Sequence, residues 1–272
     1  MITVKEINVN AYITKSKLPD ADFVINPYIG CTHKCIYCYA EFMKRFTNHN
    51  EDWGDFIDVK LSSKPMKLDK MKNKTILIGS VTDAYNPYEK KHQITRKILE
   101  QLVNCNSHIE VLTKSDLVLR DIDLFKQIKD FRIGISLNTL DDSFRKSTEP
   151  FASSVERRIN ALRVLHENGI ETYLFMSPIF PGITDFKKLI NETKEYVDSF
   201  CFENLNLRGA YSGRVLSFID KNYNHLNDIY TKIYKKKDMT YWESLSTEIN
   251  DFCSENKLNH KLYFYHEKIK KP

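Results

Sequence analysis

Three thiols lie close together in this chain: Cys31, Cys35 and Cys38 fall within eight residues, separated by three and then two residues. Thiolates are soft ligands that iron-sulfur clusters and zinc both accept, and a loop with this spacing can wrap three corners of a cubane. No fourth cysteine follows at matching spacing. A cubane held by three thiolates keeps one iron without a protein ligand, as a cluster needs if it is to chelate a cofactor and pass an electron into it. The competing chemistry is a structural zinc site with His33 or a distant cysteine as fourth ligand, which would make the chain a non-enzymatic zinc-binding interaction module. Structural zinc motifs usually bring two ligand pairs from separate turns, whereas here one loop supplies all three thiols and no second pair follows. Cys105, Cys201 and Cys253 are scattered at long intervals, which argues against a disulfide framework and for buried, inert thiols.

Such a loop needs elements to hold it. Short β-branched apolar runs at residues 23–28, 75–79, 108–113, 132–137, 170–176 and 200–205 predict strands, and segments of helical period at 39–46, 93–104, 117–129, 155–168 and 185–197 lie between them. Ser153 or Ser154 is placed to cap the helix from 155, Asn168-Gly169 to stop it, and Asp185 to cap the next. Strands interleaved with helices imply right-handed βαβ units and a parallel sheet. Six units predict an α/β fold, a partial (β/α)6 TIM-type barrel over residues 1–210, since eight units take about 250 residues. Residues 211–272 read as a C-terminal helical extension that packs on the open side of the barrel and ends in a short strand at 261–266. In such sheets the loops at the carboxyl ends of the strands build the site. The cysteine loop follows the first strand; Ser80, Thr82 and Asp83 follow the second, Lys114 and Ser115 the third, and Ser136 and Asn138 the fourth.

The bulk properties agree with a single enzyme-sized domain. A chain of 272 residues with 42% hydrophobic content can bury a sizeable core. The 41 basic and 36 acidic residues are interspersed, so the net charge of +5 is only a weak pull toward an anionic partner. No apolar run approaches the roughly 20 residues that span a bilayer, and the first residues lack a signal-like apolar stretch, which predicts a cytoplasmic protein with no membrane partner.

The cysteine spacing, with the aromatic Tyr37 directly before the last thiol, is similar to the signature of the radical S-adenosylmethionine (SAM) superfamily. The resemblance continues in order through Asn26 to Ala40, Gly79 to Glu89, Leu112 to Ser115 with Arg120 and Asp121, Ser136 to Thr139, Glu149-Pro150 with Arg157 and Arg158, and Pro178 to Gly182. This set resembles the spore-photoproduct-lyase-like branch, and in its short length the chain is similar to the radical SAM mobile pair B proteins. The resemblance implies a 4Fe-4S cluster on Cys31, Cys35 and Cys38 that cleaves SAM reductively to methionine and a 5′-deoxyadenosyl radical. It also implies a reductant such as flavodoxin or ferredoxin and a companion radical SAM protein.

Within that resemblance Tyr37 lies against the adenine, and Ser80, Thr82 and Asp83 replace the usual Gly-Gly-Glu element that holds the SAM amino group. Lys114, with Ser115, pairs the methionine carboxylate, Ser136 and Asn138 bridge the ribose hydroxyls, and Arg158 either reaches the carboxylate or structures the Glu149 loop. Each residue also has a plainer reading. Thr82-Asp83 can be a turn, Lys114-Ser115-Asp116 a capped helix start, and Arg157 and Arg158 solvated helix charges.

The substrate is less legible. The lyase that names the branch uses a thiol near the second-strand end as hydrogen donor, whereas Ile78, Gly79 and Ser80 here include no cysteine, which counts against photoproduct repair. Lys235, Lys236, Lys237, Lys268, Lys270 and Lys271 interleave with Tyr241, Trp242, Tyr263, Phe264 and Tyr265, a pattern that serves nucleic-acid binding or, equally, a solvated face beside a core strand. Nucleic acid, peptide and small metabolite all stay open as substrates, with a lean toward a polymer.

Overall fold

In the computed structural model, which describes residues 2–265, the strands are β1 (Thr3–Asn8), β2 (Ile13–Lys15), β3 (Phe23–Ile25), β4 (Tyr28–Ile29), β5 (Phe56–Leu61), β6 (Thr75–Ile78), β7 (His108–Thr113), β8 (Phe131–Ser136), β9 (Glu171–Ile179), β10 (Ser199–Asn204) and β11 (His260–Leu262). Eight of them form one sheet in the order β11-β10-β9-β8-β7-β6-β3-β2. From β3 to β11 every neighbouring pair is parallel, and β2 alone runs antiparallel, on β3. The result is a mixed α/β fold around a parallel sheet, as the alternation of the sequence predicts.

Burial explains why these runs are strands. Ile76, Ile78, Ile109, Val111, Ile133 and Ile135 are wholly buried, and each such side chain contributes about 1.5–3 kcal/mol on leaving water. The crossover helix Val155–Glu167 turns Val155, Ala161, Leu162 and Leu165 toward the sheet. Ser154 caps it by accepting from the Arg157 amide at 3.3 Å, and Gly169, at φ +73°, ends it. Asp185 caps the helix Phe186–Thr193 in the same way, accepting from the Lys188 amide at 3.0 Å.

Three differences from the sequence reading bear on the site. The run at 23–28 is two strands, because the chain leaves the large sheet at Asn26-Pro27, where proline has no amide hydrogen to donate. Beyond that break β4 joins β1 and β5 in a second sheet, ordered β1-β5-β4, whose register sets Ile29 opposite Asp58. The expected helix at 117–129 is a 3-10 turn, Asp116–Asp121, followed by the short helix Ile122–Phe125. At their junction the fully buried Asp121 accepts from Tyr85, Arg96 and Arg120 at 2.7–3.0 Å.

The residues after 210 add the helices Tyr211–Asn222 and Thr240–Glu255 and then β11, which pairs with β10, so this segment also extends the main sheet. Trp242 is buried edge-to-face against Tyr241 and Phe264, while Lys235, Lys236 and Lys237 are exposed. His266, Lys268, Lys270 and Lys271 lie outside the described residues. Among the described residues no helix is long and apolar enough to cross a membrane.

Candidate cofactor site

The cysteine loop hangs between the two sheets, and its backbone is fixed before any ligand enters. Gly30 has φ +89°, and a Cβ there would lie 2.5 Å from the Phe56 carbonyl oxygen, so only glycine lets the loop pass β5. The Thr82 hydroxyl donates to the Gly30 carbonyl at 2.5 Å. On the far side the Ile36 amide donates to the Thr148 carbonyl at 2.9 Å, and the Phe151 amide to the His33 carbonyl at 3.3 Å. Arg214, from the helix after residue 210, donates to the Ile36 carbonyl at 3.0 Å and pairs with Glu41 at 2.7 Å.

All three thiols are half-buried and unbridged. Burial pushes the Cys31 thiol up to about 12, with Asp83 and Cys38 adding to the shift; the Cys35 thiol stands well above its ordinary value by burial and the Glu149 charge. Burial also raises Cys38, against the opposing pull of a hydrogen bond from Trp53. The metal-free loop therefore holds protonated thiols near neutral pH, and metal binding must release those protons. Among the described residues no three His, Cys, Asp or Glu side chains are gathered to hold a single metal ion. His33 Nδ1 lies 3.3 Å from Asp83 Oδ2. Three thiols from one loop, with no second ligand pair following, are a donor set that suits a group with three thiolate corners better than the four-ligand shell of structural zinc.

Tyr37 connects this loop to a buried charge network. Its hydroxyl donates to Glu149, which is fully buried and paired with the fully buried Arg158. Arg158 also donates to the Ser136 and Ser153 carbonyls, each at 2.9 Å. Its contacts are therefore those of a residue that structures the Glu149 loop; it is not a solvated helix charge, unlike the exposed Arg157, which pairs with Asp116 at 2.6 Å. Burial opposes ionisation of Glu149, but Arg158, Lys114 and the hydrogen bonds from Tyr37 and Arg158 outweigh it and hold the carboxyl below its usual range. Arg145 ties the same loop down by donating to the Glu149, Pro150 and Ala152 carbonyls at 3.2–3.4 Å.

The residues at the other strand ends divide into two groups. Asp83 is saturated: it accepts from the Thr113 hydroxyl at 2.6 Å and from the Tyr85 and Lys114 amides at 2.8 Å each. Although burial works against its charge, His33 and these hydrogen bonds hold its carboxyl well below the usual range. Thr82 is occupied by Gly30, Ser80 accepts from Asn26 at 3.0 Å, and Ser115 caps the Asp116–Asp121 turn. The Ser136 hydroxyl donates to the Ser177 carbonyl at 3.2 Å.

Lys114 and Asn138 form the second group. Lys114 has its ammonium 5.9 Å above the Tyr37 ring, and among the described residues that ammonium has no hydrogen-bond acceptor. Burial works against its charge, but Glu149 and Cys35 prevail and keep it protonated. Asn138 is wholly buried with both its amide oxygen and its nitrogen unpaired. A buried amide without partners costs about 1–3 kcal/mol, and this one, just beyond the end of β8, has acceptor and donors free to meet a ligand.

Several participants carry no sequence signal of their own. Trp53 donates its indole hydrogen to Cys38 Sγ at 3.3 Å, and Ser177 donates to Glu203 at the ends of β9 and β10. A cavity of about 360 Å³ opens instead at the amino ends of the strands, lined by Asp20, His108, Arg132, Cys201, Lys261 and Tyr263. Its charges are paired internally, Arg132 with Glu110 and Lys261 with Asp20, each at 2.7 Å. It is a gap in the floor of the sheet, away from the cysteine loop. Cys105, Cys201 and Cys253 are all buried.

Comparison with known proteins agrees with this geometry. The chain is 40% identical over 222 residues to an uncharacterized protein of Methanocaldococcus jannaschii, covering 82% of this chain and 84% of that one. Its fold is similar to that of a spore photoproduct lyase variant with a dinucleoside spore photoproduct, with a TM-score of 0.58 and 19% identity over 82% of this chain and 66% of the lyase. It is also similar to Streptococcus suis SuiB bound to S-adenosylmethionine, with a TM-score of 0.57 and 17% identity over 88% of this chain and 49% of SuiB. This chain thus spans about half to two thirds of the length of those solved structures. Residues 25–192, which contain the cysteine loop, Lys114 and Asn138, match the Radical SAM superfamily, and the chain belongs to that superfamily.

Proposed function

We propose that this protein is a radical SAM enzyme in which Cys31, Cys35 and Cys38 hold a 4Fe-4S cluster, with SAM bound beside it at the carboxyl ends of β6, β7 and β8. With both groups bound, the pair supplies reductive cleavage of the sulfonium to methionine and a 5′-deoxyadenosyl radical. The observation that carries this reading is the coincidence of three unbridged thiols with the buried, unpaired amide of Asn138 and the Lys114 ammonium above the Tyr37 ring, at adjacent strand ends. In it, β3 and β6 to β10 act as the (β/α)6 part of the barrel, and the segment from residue 211 covers its open side.

The chain's own residues then have separable tasks. The Lys114 ammonium takes the methionine carboxylate, the one strongly anionic group of SAM. Asn138, with a free acceptor and free donors, takes the ribose hydroxyls, and Ser136 lies two residues before it on the same strand end. Tyr37 presents its ring, oriented by Glu149, as an apolar wall for the adenine. Asp83, Thr82, Ser80 and Ser115 hold the loops and fix backbone positions around SAM rather than offering side chains to it. Arg158 keeps Glu149 charged, and through it the Tyr37 and Lys114 positions.

A polymer substrate, nucleic acid or peptide, is slightly favoured; a lyase of similar fold holds a dinucleoside. A low-potential donor such as flavodoxin or ferredoxin would supply the electron, and a companion radical SAM protein remains part of this reading. The test is product analysis. Anaerobically reconstituted protein, given dithionite and SAM, is expected to form 5′-deoxyadenosine and methionine, and Cys35→Ala none. A wild-type protein that binds iron but gives no 5′-deoxyadenosine with any candidate substrate contradicts the proposal.

A further inference from the structure

Trp53 stands outside every motif used so far, yet its indole Nε1 donates to Cys38 Sγ at 3.3 Å. It lies on the loop between the 3-10 helix Tyr39–Phe46 and β5, and it is buried. The loop is braced as a functional part would be. The His49 ring lies between two carboxylates, Nδ1 3.0 Å from Glu51 and Nε2 2.8 Å from Asp58. It also stacks on Phe56 at 4.0 Å between centroids, with planes 12° apart. Phe56 in turn packs edge-on against Trp53 at 5.7 Å and 85°, which fixes the plane of the indole. Lys34, from the cysteine loop, pairs with Asp55 at 2.6 Å, and Gly54, at φ +102°, sits so close to Lys34 that a Cβ would lie 2.5 Å from its Cγ. The two loops are thus fastened to each other at Lys34 as well as at the N–H to sulfur contact.

We propose that Trp53 is a positioning residue that sets the reduction potential of the cluster through Cys38, with His49 and Phe56 holding its indole in place. The inference rests on the radical SAM reading above. A donor aimed at a ligand sulfur stabilises whichever cluster state carries more negative charge, and reduction adds one electron to the cluster. The N–H therefore favours the reduced state and raises the potential. Among the described residues Cys38 is the one cysteine of the three that receives a side-chain N–H, so the effect is local to that corner.

The experiment compares wild type with Trp53→Phe, which keeps an aromatic ring but removes the donor. Both are reconstituted anaerobically, assayed for iron, and titrated by EPR-monitored reduction. Equal iron and a midpoint about 59 mV lower in Trp53→Phe, a tenfold shift in the ratio of reduced to oxidised cluster, is the expected result. Equal iron with an unchanged midpoint overturns the role of Trp53 alone, whereas wild type without iron overturns the radical SAM reading with it. A second measurement needs no variant. With indole-15N tryptophan in the wild type, electron-nuclear double resonance on the reduced cluster should detect one weakly coupled 15N, since the second tryptophan of the chain, Trp242, is packed against Phe264. The absence of any 15N coupling overturns the proposal.

Discussion

Asn138 illustrates how a single residue separates stability from function. Its side-chain amide is buried and unpaired, so Asn138→Ala removes an unsatisfied polar group and should leave thermal stability unchanged or slightly higher. The same change should weaken SAM binding about tenfold, the worth of one or two hydrogen bonds, as measured by titration calorimetry on reconstituted protein. A variant that melts lower and binds SAM normally would mark Asn138 as structural. Lys114→Met keeps the aliphatic stem and deletes the charge. It should cost about 10- to 100-fold in SAM affinity, as expected for a charge-assisted contact, with the cluster still assembled. At this scale the sequence alone identifies Lys114 and Asn138 as polar groups at strand ends, because their positions follow from the alternation of strands. It does not distinguish them from Asp83 or Thr82, since whether a polar atom is spent or free depends on neighbours 30 to 52 residues away, such as Thr113 and Gly30.

At the scale of elements, the cysteine loop is held by two neighbours that themselves depend on buried chemistry. The Glu149 loop relies on the Arg158 pair, and Glu149→Gln leaves a fully buried guanidinium without its counter-charge. A loss of about 3–5 kcal/mol is expected by urea denaturation of the metal-free protein. The cost should depend on pH in a definite direction. The folded-state carboxyl of Glu149 is depressed, so its contribution is present above the ordinary glutamate value of about 4.3 and is lost as pH falls through the lower folded value. The stability gap between wild type and Glu149→Gln should therefore close below about pH 4. A gap that persists in acid would show that packing, not charge, accounts for the loss. On the other side, Gly30→Ala forces a Cβ against the Phe56 carbonyl and should abolish iron incorporation even with all three cysteines intact. Iron content measured on the refolded variant checks this.

The whole molecule shows why some of the architecture is legible in the chain and some is not. The strands of the parallel sheet are short apolar runs whose core-facing side chains are buried, so composition alone exposes β6, β7, β8 and β10 within a residue or so of their ends. The sheet β1-β5-β4 is absent from that pattern. β1 shows mostly exposed or half-buried residues, β4 is two residues long, and β5 carries the buried carboxyl of Asp58, 2.8 Å from His49 Nε2. Yet this sheet is what forces Gly30 and the cysteine loop into place, and its loop brings Trp53 to Cys38. The segment after residue 210 is likewise bound to the site by Arg214 and to the main sheet by β11, contacts that no local pattern announces.

In the proposed enzyme three thiolates leave one metal position open, and SAM fills it. The most direct measurement is the EPR spectrum of the anaerobically reduced, iron-loaded protein recorded with and without SAM. A rhombic cluster signal that changes its g-values on adding SAM, and no longer does so to the same degree in Lys114→Met, is the predicted result. A cluster signal that saturating SAM leaves unchanged in the wild type would show that SAM does not bind the open iron.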